Sequence, residues 1–572
     1  MSRARPRRVR ARFFIARARE IHAGARAVAV RDASARDFPA RDPARGDDAD
    51  AAPGSYSTGI SSIAVTRTRT RGNAERYFHA ASSRPRETRR GSAETRARER
   101  GDARARSSAR DGRRASTRSR RLDRVDRSRR RAGARAGGRS RASRAGGGDM
   151  RRVVASACEL PWPERDGTSS RVGSGSRKWE RYAGASSSAR APTPLWVADM
   201  DFSAPPAVVD AVLAVASSGH YGYADASAVL TERALERLER RHGCGDSGAE
   251  AIRWLPGLNP GLNHAVRAAR RMVGEDVSVA VCTPIYPPFL YASRNNEQGR
   301  VEVPMLRRRR DDVGPNVESY DVDWDALESA LAREEVKILL WCNPHNPVGR
   351  VWTREEMVRV ARLCVRYDAI LCSDEVWRDL ILDEDATPFC GAAAVMDEVD
   401  GLRERLIVMT SPSKTYNVAG CDVALAWIPD KTLRLHFARA GSDKAEITPF
   451  GYAACLAAYS DDSCEEWRQR LLKYLRANRD HIVDVLSADP NARDLLTWTV
   501  PAASYLTWVN CERLVDRIER SPFDHFLEHG VVLSEGAPFS APRSVRINFA
   551  TRREILDRGL DSIDLALKSA RA

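Results

Sequence analysis

Three apolar runs in this chain each end in residues whose types could do chemistry together. KILLWC (337–342) leads into Asn343, Pro344, His345, Asn346, Pro347, Val348 and Gly349. AILCS (369–373) leads into Asp374 and Glu375, and RLIVMT (405–410) into Ser411, Pro412, Ser413 and Lys414. A lysine at the mouth of a buried strand loses hydration, which lowers its pKa and makes the amine a usable nucleophile or base. Each residue also has an ordinary explanation. Asn-Pro is a turn, Asp after a strand caps the next helix, and a strand-end lysine can snorkel. The three ends follow one another at intervals of 31 and 40 residues, which argues for a single site. An amide, a carboxylate and a lysine together match the needs of pyridoxal phosphate. The amine condenses with the aldehyde, the carboxylate keeps the pyridine nitrogen protonated, and the amide donates to the phenolate oxygen. The two serines, with backbone N–H groups at a helix start, would hold the phosphate.

The elements that must position these residues are legible. VSVAVCTP (277–284), KILLWCNP (337–344), AILCSDEV (369–376) and RLIVMTSP (405–412) are short, nearly continuous apolar runs, the pattern of parallel strands covered on both faces. Between the second and third, Thr353 and Glu356 form a capping box, and Met357, Val360, Ala361 and Cys364 repeat with helical spacing. Strand, helix, strand within about forty residues is a βαβ unit. A long charged helix follows at 464–487, and then YLTWVN, GVVLSEG and SVRINFA read as strands of a smaller α+β portion. The expected fold is α/β, a mostly parallel sheet whose ligands collect outside the carboxyl ends of its strands.

With these residues in place, the chain from about Trp179 onward resembles the fold-type I pyridoxal phosphate enzymes. Within them it is similar to the carbon–sulfur lyases of the MalY and PatB type, cystathionine β-lyases that share the class I/II aminotransferase fold. The blocks that carry the likeness are PLWVADMDF (194–202), HYGYAD (220–225), LPGLNPGLNHAVRA (255–268), TPIYPPF (283–289), CNPHNPVGRVWTREEM (342–357), CSDEVWRDL (372–380), SPSKTYNVAG (411–420) and VRINFA (545–550). The resemblance implies Lys414 as the residue bonded to the cofactor and as general base, Asp374 on the pyridine nitrogen and Asn343 on the phenolic oxygen. It implies Tyr286 over the ring face, and the backbone of Leu258 and Asn259 with Ser411 and Ser413 on the phosphate. Tyr223 would reach that phosphate from a neighbouring subunit of a homodimer with shared active sites, and Arg546 would hold the substrate α-carboxylate. The chain departs from the pattern at Trp377, where lyases of this type have His and related aminotransferases Tyr, and an indole cannot accept or titrate. It also has Cys421 and Asp422 where many aminotransferases place an arginine, and the carboxylate of Asp422 is expected to point away from a phosphate.

The implied reaction is β-elimination from a cysteine S-conjugate such as cystathionine. It would give homocysteine, pyruvate and ammonia and so serve methionine biosynthesis. An aminotransferase built from the same residues is the nearest alternative, and a noncatalytic regulatory protein that keeps the cofactor for structure is the third.

Charge divides the chain. Residues 1–150 hold 41 Arg, no Lys and 16 acidic residues, a balance of +25, whereas 151–572 carry −8. So few large apolar residues cannot offset chain entropy, and we expect 1–150 to be a disordered tail. Such a tail reads as a plastid transit peptide, as a nucleic-acid arm, or as an extension outside the functional protein that begins at Met150; without a transit peptide the protein would be cytoplasmic. We expect 178–440 to form an N-terminal segment and the cofactor-binding large domain, and 441–572 a small C-terminal domain. The eleven cysteines are odd in number and scattered, which suits reduced thiols. Cys342 and His345 lack a second ligand pair, so no metal is expected. No apolar run approaches the roughly 20 residues that cross a bilayer.

Overall fold

Strands that are apolar throughout must be covered on both faces, and those of this chain are. The computed structural model describes residues 171–185, 191–245, 247–383, 385–443 and 445–570; the stretch 1–150 lies outside the described residues. The first sheet contains β2 (Ile252–Leu255), β3 (Ser278–Thr283), β4 (Gly299–Pro304), β7 (Val336–Cys342), β8 (Ile370–Asp374), β9 (Leu406–Thr410) and β10 (Ala424–Trp427), in the order β2-β10-β9-β8-β7-β3-β4. All neighbours in the run β9-β8-β7-β3-β4 pair in parallel, and β10 lies antiparallel between β2 and β9. Every residue of β8 and β9 is buried. Each Leu, Ile or Val so buried contributes about 1.5–3 kcal/mol. Register aligns the site: Cys342 stands opposite Asp374, and Asp374 opposite Met409. The polar residues that follow these strands therefore emerge along one edge.

The helices used below are α1 (Arg177–Glu180), α2 (Pro206–Ser218), α3 (Ala228–His242), α4 (Leu258–Val273), α5 (Pro287–Asn295), α6 (Arg354–Arg366) and α7 (Asp462–Ala488). The capping box opens α6 as the sequence predicts, with Thr353 and Glu356 bonded to each other's backbone, and such a cap contributes about 1 kcal/mol. Met357, Val360, Ala361 and Cys364 form its buried face. The charged helix α7 is more than a solvated surface. It buries Trp467, Leu471, Leu475 and Ile482, and with them Arg468, Asn478 and Arg479.

A second sheet runs β14-β15-β12-β11-β6-β5, from β5 (Leu306–Arg309), β6 (Val317–Asp321), β11 (Thr497–Thr499), β12 (Leu506–Asn510), β14 (Ser534–Glu535) and β15 (Ser544–Asn548). The GVVLSEG segment divides. Its first half, β13 (Val531–Val532), pairs in parallel with β1 (Thr193–Pro194), and its second half, β14, joins β15.

Candidate active site

Lys414 follows the last strand of the parallel run, and its amine donates to the carbonyl of Ala198 at 3.1 Å. The hydroxyl of Tyr505 donates to the same carbonyl at 3.1 Å. Loss of hydration, reinforced by the nearby Arg546 guanidinium, lowers the Lys414 amine to about pKa 8, with Asp199 and Asp374 pulling the other way. The indole of Trp377 lies 6.0 Å from the amine and packs edge-on against Tyr505. It therefore occupies the reacting side of the strand ends. Asp374, at the tip of β8, is buried, and burial pushes it up to about 7 against the opposing N–H of Val376, which donates to Oδ1 at 3.1 Å. A carboxyl raised that far lacks a full counter-charge and would be returned toward its usual range by a cation, such as a protonated ring nitrogen.

Arg546 projects from β15, 4% exposed. One terminal nitrogen donates to Asn346 Oδ1 at 2.9 Å, and the other to the Trp196 carbonyl at 3.2 Å and the Ser534 hydroxyl at 3.1 Å. Its Nε is buried without a hydrogen-bond partner, and no carboxylate among the described residues pairs with it. Phe539 lies under the guanidinium at 4.8 Å. Burial draws its pKa down to about 10, an effect that Tyr286 and Tyr505 only partly oppose. A buried cation without an anion is expensive, and a carboxylate ligand would relieve that cost through two parallel hydrogen bonds.

The amide expected on the phenolic oxygen needs correction. Asn343 is fully buried and its Nδ2 donates to the Cys390 carbonyl at 2.8 Å, so its side chain serves the interior behind the strands. The second Asn-Pro pair places its amide beside Arg546 instead. Asn346 faces Arg546 through Oδ1, and its carbonyl accepts from the N–H of Tyr286 at 3.1 Å. The tandem pair in CNPHNPVG was the available signal, and spacing could not decide between its members because either amide can follow β7.

Tyr286 precedes α5, half-buried; burial raises its hydroxyl, opposed by Arg546 and then Arg177 and supported by Asp374. Ser411 donates to the Val423 carbonyl at 2.7 Å and accepts from the N–H of Ser413 at 3.0 Å, which folds the chain tightly ahead of Lys414. Leu258 and Asn259 open α4 behind Gly257, whose φ of +141° suits glycine, and no side chain caps this end. A Cβ on Gly261 would come within 2.7 Å of Met409 Sδ, so the first turn of α4 packs closely on β9. Asp422 is exposed. Tyr223 is 96% exposed and touches none of these groups within its own chain.

Two features were not anticipated. Trp196 contributes its carbonyl to Arg546, and its indole donates to the carbonyl of Lys178 at 2.9 Å. Lys178, 1% exposed, pairs with Asp201 at 2.8 Å, while the Trp179 indole donates to the other oxygen of Asp201 at 2.8 Å. Helix α1 is thereby stapled across the 196–201 loop. The sequence signal was RKWE itself, a cation and an indole side by side ahead of the DMD acidic pair.

The residues present fit pyridoxal phosphate. The lowered amine, the under-compensated Asp374, the uncapped α4 start and the orphaned Nε of Arg546 match an aldehyde, a ring cation, a phosphate and an amino-acid carboxylate in turn. The chain is 29% identical over 343 residues to cystathionine beta-lyase PatB of Bacillus subtilis (strain 168), covering 59% of this chain and 82% of that protein. Among solved structures, OvoB superposes with a TM-score of 0.61 at 33% identity, over 69% of this chain and 96% of that one. Cystalysin from Treponema denticola, which contains a pyridoxal 5′-phosphate cofactor, gives 0.61 at 25% identity, over 70% and 97%. The architecture is that of the fold-type I pyridoxal phosphate enzymes. The profile of aminotransferase class I and II matches residues 193–563, and the chain belongs to that family.

Proposed function

We propose that the protein is a pyridoxal-phosphate-dependent carbon–sulfur lyase acting on a cysteine S-conjugate such as cystathionine. With one water consumed, the products are homocysteine, pyruvate and ammonia. The observation that carries this reading is the uncompensated Arg546 beside an amine lowered to about pKa 8. The names of the relatives, lyases in PatB and in the PLP-bound C–S lyase of Staphylococcus hominis at 26% identity, favour elimination over amino transfer.

Pyridoxal phosphate supplies an aldehyde for amines and a cationic ring that draws electrons from the substrate Cα. Arg546 holds the α-carboxylate with both terminal nitrogens and so fixes which Cα bond faces the amine. Lys414, whose burial makes the amine easier to deprotonate, takes the Cα proton. Asp374 would keep the ring nitrogen protonated, and Asn346, rather than Asn343, would offer an amide to the ring oxygen. The N–H groups of Leu258 and Asn259, with Ser411 and Ser413, receive the phosphate. Tyr223, Tyr221, Leu213 and Val229 form an exposed apolar face around α2 and α3, and we assign it to a second copy of the chain whose Tyr223 completes the site.

The test is cystathionine with and without an added 2-oxo acid. Pyruvate formed without the acceptor supports elimination; turnover only with the acceptor makes the protein an aminotransferase; neither makes it a binding protein. Lys414→Ala should lower turnover on the order of 10^3-fold while leaving the unfolding midpoint near that of the parent.

A further inference from the structure

The stapled helix α1 carries one cation that the fold does not use. Arg177 lies between the anchored Lys178 and Ser176, is exposed, and makes no hydrogen bond or ion pair with another described residue. Its neighbours are committed. Glu180 accepts from the N–H of Gly175 at 2.7 Å, and Arg181 stacks 5.8 Å from the Trp196 ring. Four contacts hold α1 in place: Lys178 on Asp201, Lys178 on the Asp199 carbonyl, Trp179 on Asp201, and Trp196 on the Lys178 carbonyl. The last leads directly to Arg546, because the Trp196 carbonyl accepts from its guanidinium. The cation is thus tied through one indole to the arginine assigned to the α-carboxylate. The charges of Arg546 and, more weakly, Arg177 both act on the Tyr286 hydroxyl.

For a substrate with its α-carboxylate on Arg546 and its Cα toward Lys414, the side of the site bounded by Tyr286 and α1 is where its sulfur arm would lie: the Tyr286 N–H donates to the carbonyl of Asn346, which faces Arg546, and α1 is tied to Arg546 through Trp196. We propose that Arg177 determines specificity by binding a carboxylate, or an equivalent anion, on that arm, so that the enzyme prefers cysteine S-conjugates with an acidic tail. This rests on the lyase reading above. An exposed guanidinium–carboxylate contact supports a preference of about fivefold, and the rigid backbone of α1 limits the entropy lost in forming it.

The test uses S-carboxymethyl-L-cysteine and S-methyl-L-cysteine, which differ by one carboxylate. In the holoenzyme the ratio of their kcat/KM values should fall about fivefold in Arg177→Ala, reverse in Arg177→Glu and be restored in Arg177→Lys, with the change carried by KM. The same ratio of dissociation constants is read from the visible absorbance of the bound cofactor on titration, and this needs no turnover. A ratio unchanged across the three variants overturns the role of Arg177 and leaves the lyase reading intact. Absence of pyruvate from either conjugate, with the binding ratio still shifted, overturns the lyase reading and leaves Arg177 as an anion-binding residue.

Discussion

Arg237 and Arg546 are both almost fully buried, 8% and 4% exposed, yet the fold neutralises one and leaves the other uncompensated. Arg237, on α3, donates to Asp379 and to the Tyr416 hydroxyl, and lies 4.7 Å from the centre of the Tyr459 ring. Arg468 of α7 donates to the Asp379 carbonyl at 2.8 Å and pairs with Glu465. Burial pushes Asp379 up, but Arg237, Arg468 and Arg241 together hold it well below the usual carboxylate range. Arg237 is correspondingly raised although burial acts to lower it. Around Arg546 no described residue supplies such an acid, and its pKa moves down instead. A charge taken from water needs a partner. Where the chain supplies it, the arginine ties elements together. Where the chain withholds it, a ligand has a place.

Removing the acid from the neutralised cluster should have the largest effect. Asp379→Ala strands the buried Arg237 and should cost about 3–5 kcal/mol of stability, read from the urea midpoint. Arg546→Ala should do the reverse. Losing a bidentate carboxylate contact lowers kcat/KM on the order of 10^2-fold or more, mostly through KM, while the midpoint holds or rises because an unpaired buried charge is gone. Arg546→Lys should recover little, since a point charge lacks the fork. A loss of stability in Arg546→Ala as large as in Asp379→Ala would erase the distinction between the clusters.

A similar contrast separates the two Asn-Pro pairs. Asn343→Ala leaves the Cys390 carbonyl unpaired and should cost about 1–3 kcal/mol of stability. Asn346→Ala removes a partner of Arg546 and should show instead as a turnover loss of about tenfold. Equal stability losses in both would sink the reassignment.

These asparagines also mark how far the sequence carries. The apolar runs gave β3, β7, β8 and β9 because strands buried on both faces admit no polar alternation, and Thr353 with Glu356 announced α6 because a cap is a local device. Lys414 and Asp374 were legible as residues immediately following such runs. The choice between Asn343 and Asn346 was not, because it depends on how the turn rotates each side chain. The placement of β5 and β6 in the sheet with β11 was equally hidden, as was the pairing of β1 with β13, since partners so remote leave no mark on local periodicity. The grip of Asp201 on Lys178 and Trp179 belongs to the same class.

The last contrast concerns Asp374 and is read as a trend with pH. In the cofactor-free protein the folded carboxyl keeps its proton up to about 7, whereas the unfolded one releases it near 3.8. Between those values the folded state binds more protons than the unfolded state, so its stability should fall as pH rises from 3.8 to about 7, relative to Asp374→Asn. Urea midpoints of the two proteins across that interval check the sign. Parallel profiles would remove Asp374 from the under-compensated group.

The pairing of β1 with β13 bears on how this molecule is made. Thr193 and Pro194 find their strand partners only at Val531 and Val532, the N–H of Asp201 donates to the carbonyl of Ala550, and Asn548 donates through its amide to the carbonyl of Asp199. A ribosome delivers the loop that contacts Lys414 hundreds of residues before the segments that hold that loop in position. Assembly of the catalytic pocket is therefore a late event in biosynthesis, deferred until nearly the whole polypeptide has emerged.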